Sequence, residues 1–168
     1  MKMKITGILS VAVAATIMVS NVNAKTIKVQ ASSKAGDWAH LFMTEQYAPK
    51  LKAMTGGALD ITVLPTGAVV PYKESIDAVA SGILNGDLNA ISYFSGRDPA
   101  FAVIGDLIAG WDTPEQLQAY CMSGGGREML QKIYDGLKAT AGKIHVIGCS
   151  PYSKEALVSK NKITTVAG

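Results

Sequence analysis

The residue types that most often carry chemistry are sparse in this sequence, and their spacing argues against familiar enzyme sites. It holds two histidines, His40 and His145, two cysteines, Cys121 and Cys149, and two arginines, Arg97 and Arg127. Neither histidine sits in an H-E-x-x-H arrangement that would bind zinc and supply a base. His40 reads as a helix-surface residue and His145 as a strand residue. A phosphate loop needs G-x-x-x-x-G-K-[ST], which is absent. Gly124-Gly125-Gly126 does not extend to G-x-G-x-x-G, because position 129 is methionine. Gly148-Cys149-Ser150-Pro151-Tyr152 lacks the second glycine of a nucleophile elbow. The cysteines lack C-x-x-C spacing and are read as free, buried, small hydrophobes. A carboxylate could still act as a base, so these absences lower the enzyme reading without removing it. Catalytic residues: none are assigned.

The elements that must position any site alternate between strand and helix. Thr26 to Ala31 places Ile27, Val29 and Ala31 on one side, the period-two mark of a strand. A small-residue loop, Ser32 to Gly36, leads to a helical pattern from Asp37 carrying Trp38, Leu41, Phe42, Leu51 and Met54, with Pro49 expected to kink or split it. Gly56-Gly57 ends that helix. Leu59 to Leu64 is the next strand and Tyr72 to Ile83 the next helix, with Ile76, Val79, Ala80 and Ile83 on one face. Asn89 to Phe94 predicts a strand. Thr113-Pro114-Glu115-Gln116 predicts a helix start, with a Thr cap and Pro at the first position. A helix restarts after Ser123 and three glycines, and Lys143 to Gly148 predicts a further strand. Strands separated by helices imply an α/β fold with a mixed or parallel sheet flanked by helices.

In open α/β sheets, ligands bind outside the carboxyl ends of the strands. Ala31-Ser32-Ser33, Ser92-Tyr93-Phe94-Ser95 and Cys149 to Ser153 occupy such ends, with Trp38 at the start of the helix after the first. Free N–H groups at a helix start suit an anion, so an acidic solute fits this region. Trp38, Tyr93 and Phe94 would serve equally as core residues.

Composition narrows the partners. The chain has 168 residues, 48% hydrophobic and 17% charged, with a formal charge of +3. Length suits one domain, and the composition is too apolar for a disordered chain. Lys2 and Lys4, the apolar run Ile5 to Val19 and the small residues Val22-Asn23-Ala24 read as a secretory signal, residues 1–24, cleaved after Ala24. The run is too short for a permanent anchor. The mature chain is thus expected outside the cytoplasm, not membrane-spanning after cleavage, where a disulfide is permitted. Without the two signal lysines the charges nearly balance, which gives no support to nucleic-acid binding.

Order and spacing of several short motifs complete the reading. They are Met54-Thr55-Gly56-Gly57, then Leu59 to Leu64 closed by Pro65-Thr66-Gly67, then Tyr72 to Gly82 with Asp77-Ala78-Val79-Ala80-Ser81-Gly82 in a D-A-V-x-x-G pattern. Tyr93-Phe94-Ser95-Gly96-Arg97-Asp98-Pro99-Ala100-Phe101 and Gly125-Gly126-Arg127-Glu128 follow. In this order they resemble the solute-binding proteins of tripartite ATP-independent periplasmic (TRAP) transporters, and look closest to the branch that binds 2-oxo acids.

The resemblance implies a periplasmic two-lobed α/β receptor that closes on a small organic acid, a 2-oxo or hydroxy monocarboxylate, and passes it to TRAP membrane permease subunits. It implies an N-terminal ligand-binding lobe over 25–150 and a crossover strand with the start of a second lobe over 151–168. Family members are longer, and their carboxylate-binding arginine follows a K-G-x-K-x-R run. This chain stops where that run would begin, so the second lobe is expected to be largely missing. Arg97 and Arg127 read as structural. Tyr93 would donate its hydroxyl to the solute and Phe94 would supply apolar wall, with Trp38 and Ser32 at the first strand end. Tyr152 and Ser153 lie where the chain crosses between lobes. In the 2-oxo-acid branch a sodium or calcium ion can bridge the solute carboxylate, and Glu155 is the candidate oxygen ligand for it. The alternatives are an exported hydrolase-like enzyme and a stand-alone sensory module.

Overall fold

A computed structural model of the chain describes residues 24–105 and 110–150, together with Lys160 and Lys162. Residues 1–23 of the expected signal segment and most of the expected crossover lie outside the described residues. No described helix is long and apolar enough to cross a membrane.

Among the described residues three parallel strands form the sheet: β1 (Lys25–Ala31), β2 (Leu59–Leu64) and β3 (Gly86–Leu88), in the order β2-β1-β3. Val29 of the central strand faces Val63 on one side and Gly86 on the other. Alternation in β1 is right, yet its last two residues, Gln30 and Ala31, are both buried, as suits a strand covered on both faces. Gln30 is accommodated because its amide is satisfied. Its oxygen accepts from the N–H groups of Val69 and Val70, and its nitrogen donates to the Val70 carbonyl at 2.8 Å. A β1 side chain therefore holds the loop that follows β2.

The first crossover is helical from Trp38 to Met54, as α1 (Trp38–Leu41), a π-helical stretch (Phe42–Tyr47) and α2 (Ala48–Met54). The expected disruption at Pro49 takes this form. Proline has no N–H and its ring crowds the carbonyl four residues back, and the wider π turns just before it relieve that crowding. Gly56 and Gly57, at φ 59° and 85°, end the helix in a conformation that glycine adopts freely. The second crossover is a 3-10 turn (Tyr72–Glu74) running into α3 (Ser75–Ala80), whose Ile76 and Ala78 are buried. Arg97 grips Asp77 of this helix with both terminal nitrogens.

Two predicted strands are corrected. The third strand lies earlier than Asn89–Phe94, at Gly86–Leu88, and Ile91–Phe94 is a 3-10 turn. Asn89 leaves the sheet because its side-chain amide donates to the Tyr72 carbonyl and to Ser75 Oγ. Residues 144–150 form no strand, although Ile144 and Val146 pack on the core in the alternation that suggested one. Their backbone is paired with a side chain instead of a neighbouring strand. Gln131 donates to the Ile144 carbonyl at 2.9 Å and accepts from the Val146 N–H at 2.8 Å.

The remaining helices are α4 (Ala100–Gly105), α5 (Pro114–Ser123) and α6 (Gly126–Gly136). Thr113 caps α5 by accepting from the Gln116 N–H, with Pro114 at the first helical position, as its sequence predicts. The Gln116 side chain reaches back to the Asp112 N–H, one residue before the cap. Ile76, Phe94, Phe101, Leu130, Tyr134 and Val146 make the main core. Phe101 packs between Phe94 and Tyr134, with ring centroids 6.0 and 5.1 Å away.

Candidate ligand site

Strand order 2-1-3 fixes where a ligand can sit. From β1 the chain crosses to β2 on one side, then back over β1 to β3 on the other. The diverging connections leave a crevice at the carboxyl ends of β1 and β3. A cavity of about 760 Å³ opens there, within the range of about 300–1,000 Å³ common for small-molecule sites. Ser32 and Ser33 line it from the end of β1, Asp87 and Asn89 from the end of β3, and Tyr93 and Tyr134 from the following helical elements.

The structure brings three of the sequence-predicted residues to this cavity. Ser32 is half-buried on its wall, and its N–H donates to the Leu88 carbonyl at 3.0 Å, joining the two strand ends. Trp38 stands at the rim, 81% exposed. Tyr93 is 46% exposed and packs edge-on against Tyr72, with centroids 4.8 Å apart. Phe94 does not reach the cavity. It is 1% exposed in the core, since the 3-10 turn points it away from its neighbour Tyr93 and onto Phe101. Tyr152, Ser153 and Glu155 lie outside the described residues.

Both cysteines depart from the sequence expectation. Cys121 and Cys149 form a disulfide, with Cα atoms 6.1 Å apart, a normal separation for such a bridge. Cys121 is buried on α5, as expected, but Cys149 comes to it from the irregular segment 144–150, which the bond ties down beside the cavity. His40 departs as well. It is half-buried, and both of its ring nitrogens are shut from solvent without a hydrogen-bond partner. His145 is exposed on the irregular segment at the cavity. Arg97 and Arg127 pair with Asp77 and Glu128, in agreement with a structural role. Lys143 is a described lysine at the cavity.

Sequence reasoning missed a polar cluster behind the wall. Ser75 is fully buried and donates its hydroxyl to the Tyr72 carbonyl at 2.8 Å. Asn89 donates to the same carbonyl and to Ser75 Oγ. Asp87 lies against Ser75, and burial pushes its carboxyl up to about 7, a rise only partly opposed by the Ser75 hydrogen bond. Tyr134 is pushed above the ordinary tyrosine range, mainly by burial and further by the Asp87 charge. The one signal for this cluster in the sequence was an aspartate between Gly86 and Leu88, an ionisable group inside a strand.

No family model matches the chain. It is 29% identical over 135 residues to a monocarboxylate 2-oxoacid-binding periplasmic protein of Nostoc sp., an alignment covering 74% of this chain and 37% of the relative. Its fold is similar to that of a TRAP periplasmic solute-binding protein from Rhodobacter sphaeroides in an apo open state. The TM-score is 0.61 and the identity 34%, over 65% of this chain and 34% of that one. A TRAP periplasmic solute-binding protein from Colwellia psychrerythraea, with bound calcium and pyruvate, shares the fold at TM-score 0.55 and 23% identity, over 67% of this chain and 34% of that one. The chain thus spans about a third of the length of the relatives it matches. Over that span, sequence and parallel-sheet fold are similar to those of TRAP periplasmic solute-binding proteins.

Proposed function

We propose that the chain contributes a wall of an extracytoplasmic receptor that captures a small organic acid, a 2-oxo or hydroxy monocarboxylate, for delivery to a TRAP membrane permease. The observation that carries this reading is the cavity at the β1 and β3 ends, in a chain related to a 2-oxoacid-binding protein. The wall suits such a solute. Tyr93 offers a hydroxyl and an aromatic face, Ser32 a hydroxyl, Trp38 an apolar rim and Lys143 a positive charge. Excluding water from a site of this kind strengthens each polar contact.

Residues 25–150 form the ligand-binding lobe on this reading and 151–168 the crossover, with Tyr152 and Ser153, outside the described residues, as further proposed solute contacts. Export with cleavage after Ala24 places the receptor in the periplasm. Among the described residues no cluster of three or more His, Cys, Asp or Glu side chains could hold a metal ion. A calcium or sodium ion that bridges the solute is part of this reading, with Glu155, outside the described residues, as its proposed oxygen ligand. Such an ion would neutralise the carboxylate.

Calorimetric titration of the complete gene product with pyruvate, lactate and succinate, with and without calcium, tests the reading. Binding of a monocarboxylate without turnover is expected. Hydrolysis of esters, or indifference to every acid in both conditions, would overturn it.

A further inference from the structure

Tyr93 reaches the cavity from a short 3-10 turn, Ile91–Phe94. A turn of this length has little stability of its own, so the aim of its side chains is set by what they touch. Phe94 pins the turn on the core side, buried against Phe101. Tyr93 stays exposed, and its ring meets that of Tyr72 edge-on, with centroids 4.8 Å apart.

Tyr72 opens a second 3-10 turn, Tyr72–Glu74, and is fixed from two directions. Just before it, the N–H groups of Val69 and Val70 donate to the buried Gln30 of β1. Its own carbonyl accepts from Asn89 Nδ2 and from Ser75 Oγ, each at 2.8 Å. A carbonyl can only accept, so the nitrogen of the Asn89 amide must be the atom that faces it. The same nitrogen donates to Ser75 Oγ at 3.2 Å. Asn89 follows β3 directly and precedes the turn that carries Tyr93. The contacts therefore close a circuit. It runs from Asn89 along the chain to Tyr93, across the ring pair to Tyr72, and through the Tyr72 carbonyl back to the Asn89 amide.

We propose that Asn89 is a positioning residue for Tyr93: by clamping the Tyr72 carbonyl it holds the Tyr72 ring as the backstop that aims Tyr93 at the solute. Without the Asn89 amide the hydrogen-bonded side of this circuit opens. Tyr93 then regains rotamer freedom that binding must remove. The effect on affinity rests on the organic-acid reading above, whereas the effect on the order of the Tyr93 ring does not.

The test is a double-mutant cycle on the complete gene product. Pyruvate affinity is measured by calorimetry, well below the melting temperature, for the wild type, N89A, Y93L and N89A/Y93L. Asn89 Oδ1 is shut from solvent without a partner, so N89A also removes an unpaired acceptor, which limits its cost to folding. N89A is expected to weaken binding about three- to tenfold, the range for one side chain that must be immobilised. The loss should fall below about 1.5-fold once Tyr93 is leucine, because the two residues act as one unit. Y72L removes the backstop ring but keeps the backbone carbonyl and its hydrogen bonds, so it should reproduce the loss even if N89A does not fold. A wild-type affinity in N89A or Y72L, or an N89A loss of equal size in both backgrounds, overturns the proposal. A Y93L variant that binds like the wild type overturns it too and leaves the receptor reading standing. Fluorine-19 NMR of 3-fluorotyrosine-labelled protein, with Y93F to assign the signal, reads the ring directly. The Tyr93 line is expected to shift or broaden in N89A, and an unchanged line overturns the positioning. If no acid binds, the receptor reading fails, and the fluorine line still decides whether Asn89 orders Tyr93.

Discussion

Reducing the Cys121–Cys149 bond should destabilise this fold by an amount that its loop length sets. The bond spans 28 positions, and the chain-entropy relation gives about 3.5 kcal/mol for a loop of that size. Native contacts add to the loss. Among the described residues segment 144–150 has no sheet neighbour, and apart from Ile144 and Val146 in the core and the Gln131 clamp, it is the bond that fastens its far end to α5. Urea unfolding, followed by circular dichroism with and without dithiothreitol, measures the effect. With a slope of about 1.5 kcal/mol per molar urea, the midpoint should fall by roughly 2 M at an unchanged slope. The Cys121→Ala/Cys149→Ala variant should match the reduced protein. A midpoint shift below about 0.5 M, or two thiols titrating in the native oxidised protein, would refute the reasoning and return both cysteines to the free state that their sequence context suggests.

Gln131→Ala removes both partners of the Ile144 carbonyl and Val146 N–H. It should cost about 2–3 kcal/mol, with faster hydrogen exchange at Val146; unchanged exchange there would show that another group already pairs this backbone. Gly126→Ala would set a Cβ 2.6 Å from the Tyr120 ring and 3.0 Å from the Cys121 Cα. With Trp111 stacked on Tyr120 at 4.8 Å, the ring has little room to yield, and a loss of about 1–3 kcal/mol is expected in thermal melts. The raised Asp87 carboxyl makes the folded state bind a proton that the unfolded chain releases. Its contribution is therefore fully present below the unfolded value of 3.8 and is lost as pH rises through about 7. The interval sets a ceiling of about 4 kcal/mol. Melting temperature should fall between pH 5 and 8 in the wild type and stay level in Asp87→Asn; a parallel fall in both would assign the dependence to other groups.

What the sequence made legible follows the kind of signal each residue carried. β1, β2 and the α5 cap were readable because alternation and the Thr113-Pro114 pair act over a few neighbouring residues. A mixed or parallel sheet also followed in outline, since strands separated by helices leave few other arrangements, whereas its order 2-1-3 came from the structure. The third strand was misplaced because Gly86–Leu88 is too short to alternate, while the richer apolar run after Asn89 curls into a 3-10 turn. Segment 144–150 has a strand's alternation without a strand's neighbour, and nothing local announces that a glutamine on α6 will pair its backbone. Cys121 and Cys149 meet only through tertiary packing of α5 against that segment. Asp87 was missed for a related reason. Its raised carboxyl comes from burial, against which the Ser75 hydrogen bond works, and burial is set by elements distant in the sequence.

These omissions bear on one physical question, how an anion is welcomed by this wall. Arg97 and Arg127 are the residues most suited to a carboxylate, yet both are paired with neighbouring acids. Among the described residues lining the cavity, Lys143 remains as the fixed cation, and its exposure lets salt screen it. With so little positive charge on this side, the state of one carboxyl matters. A neutral Asp87 leaves the wall net positive through Lys143, whereas an ionised Asp87 cancels that lysine from the buried side, where screening is weakest. On the receptor reading proposed above, the affinity of this wall for an organic anion would depend on that balance of charge.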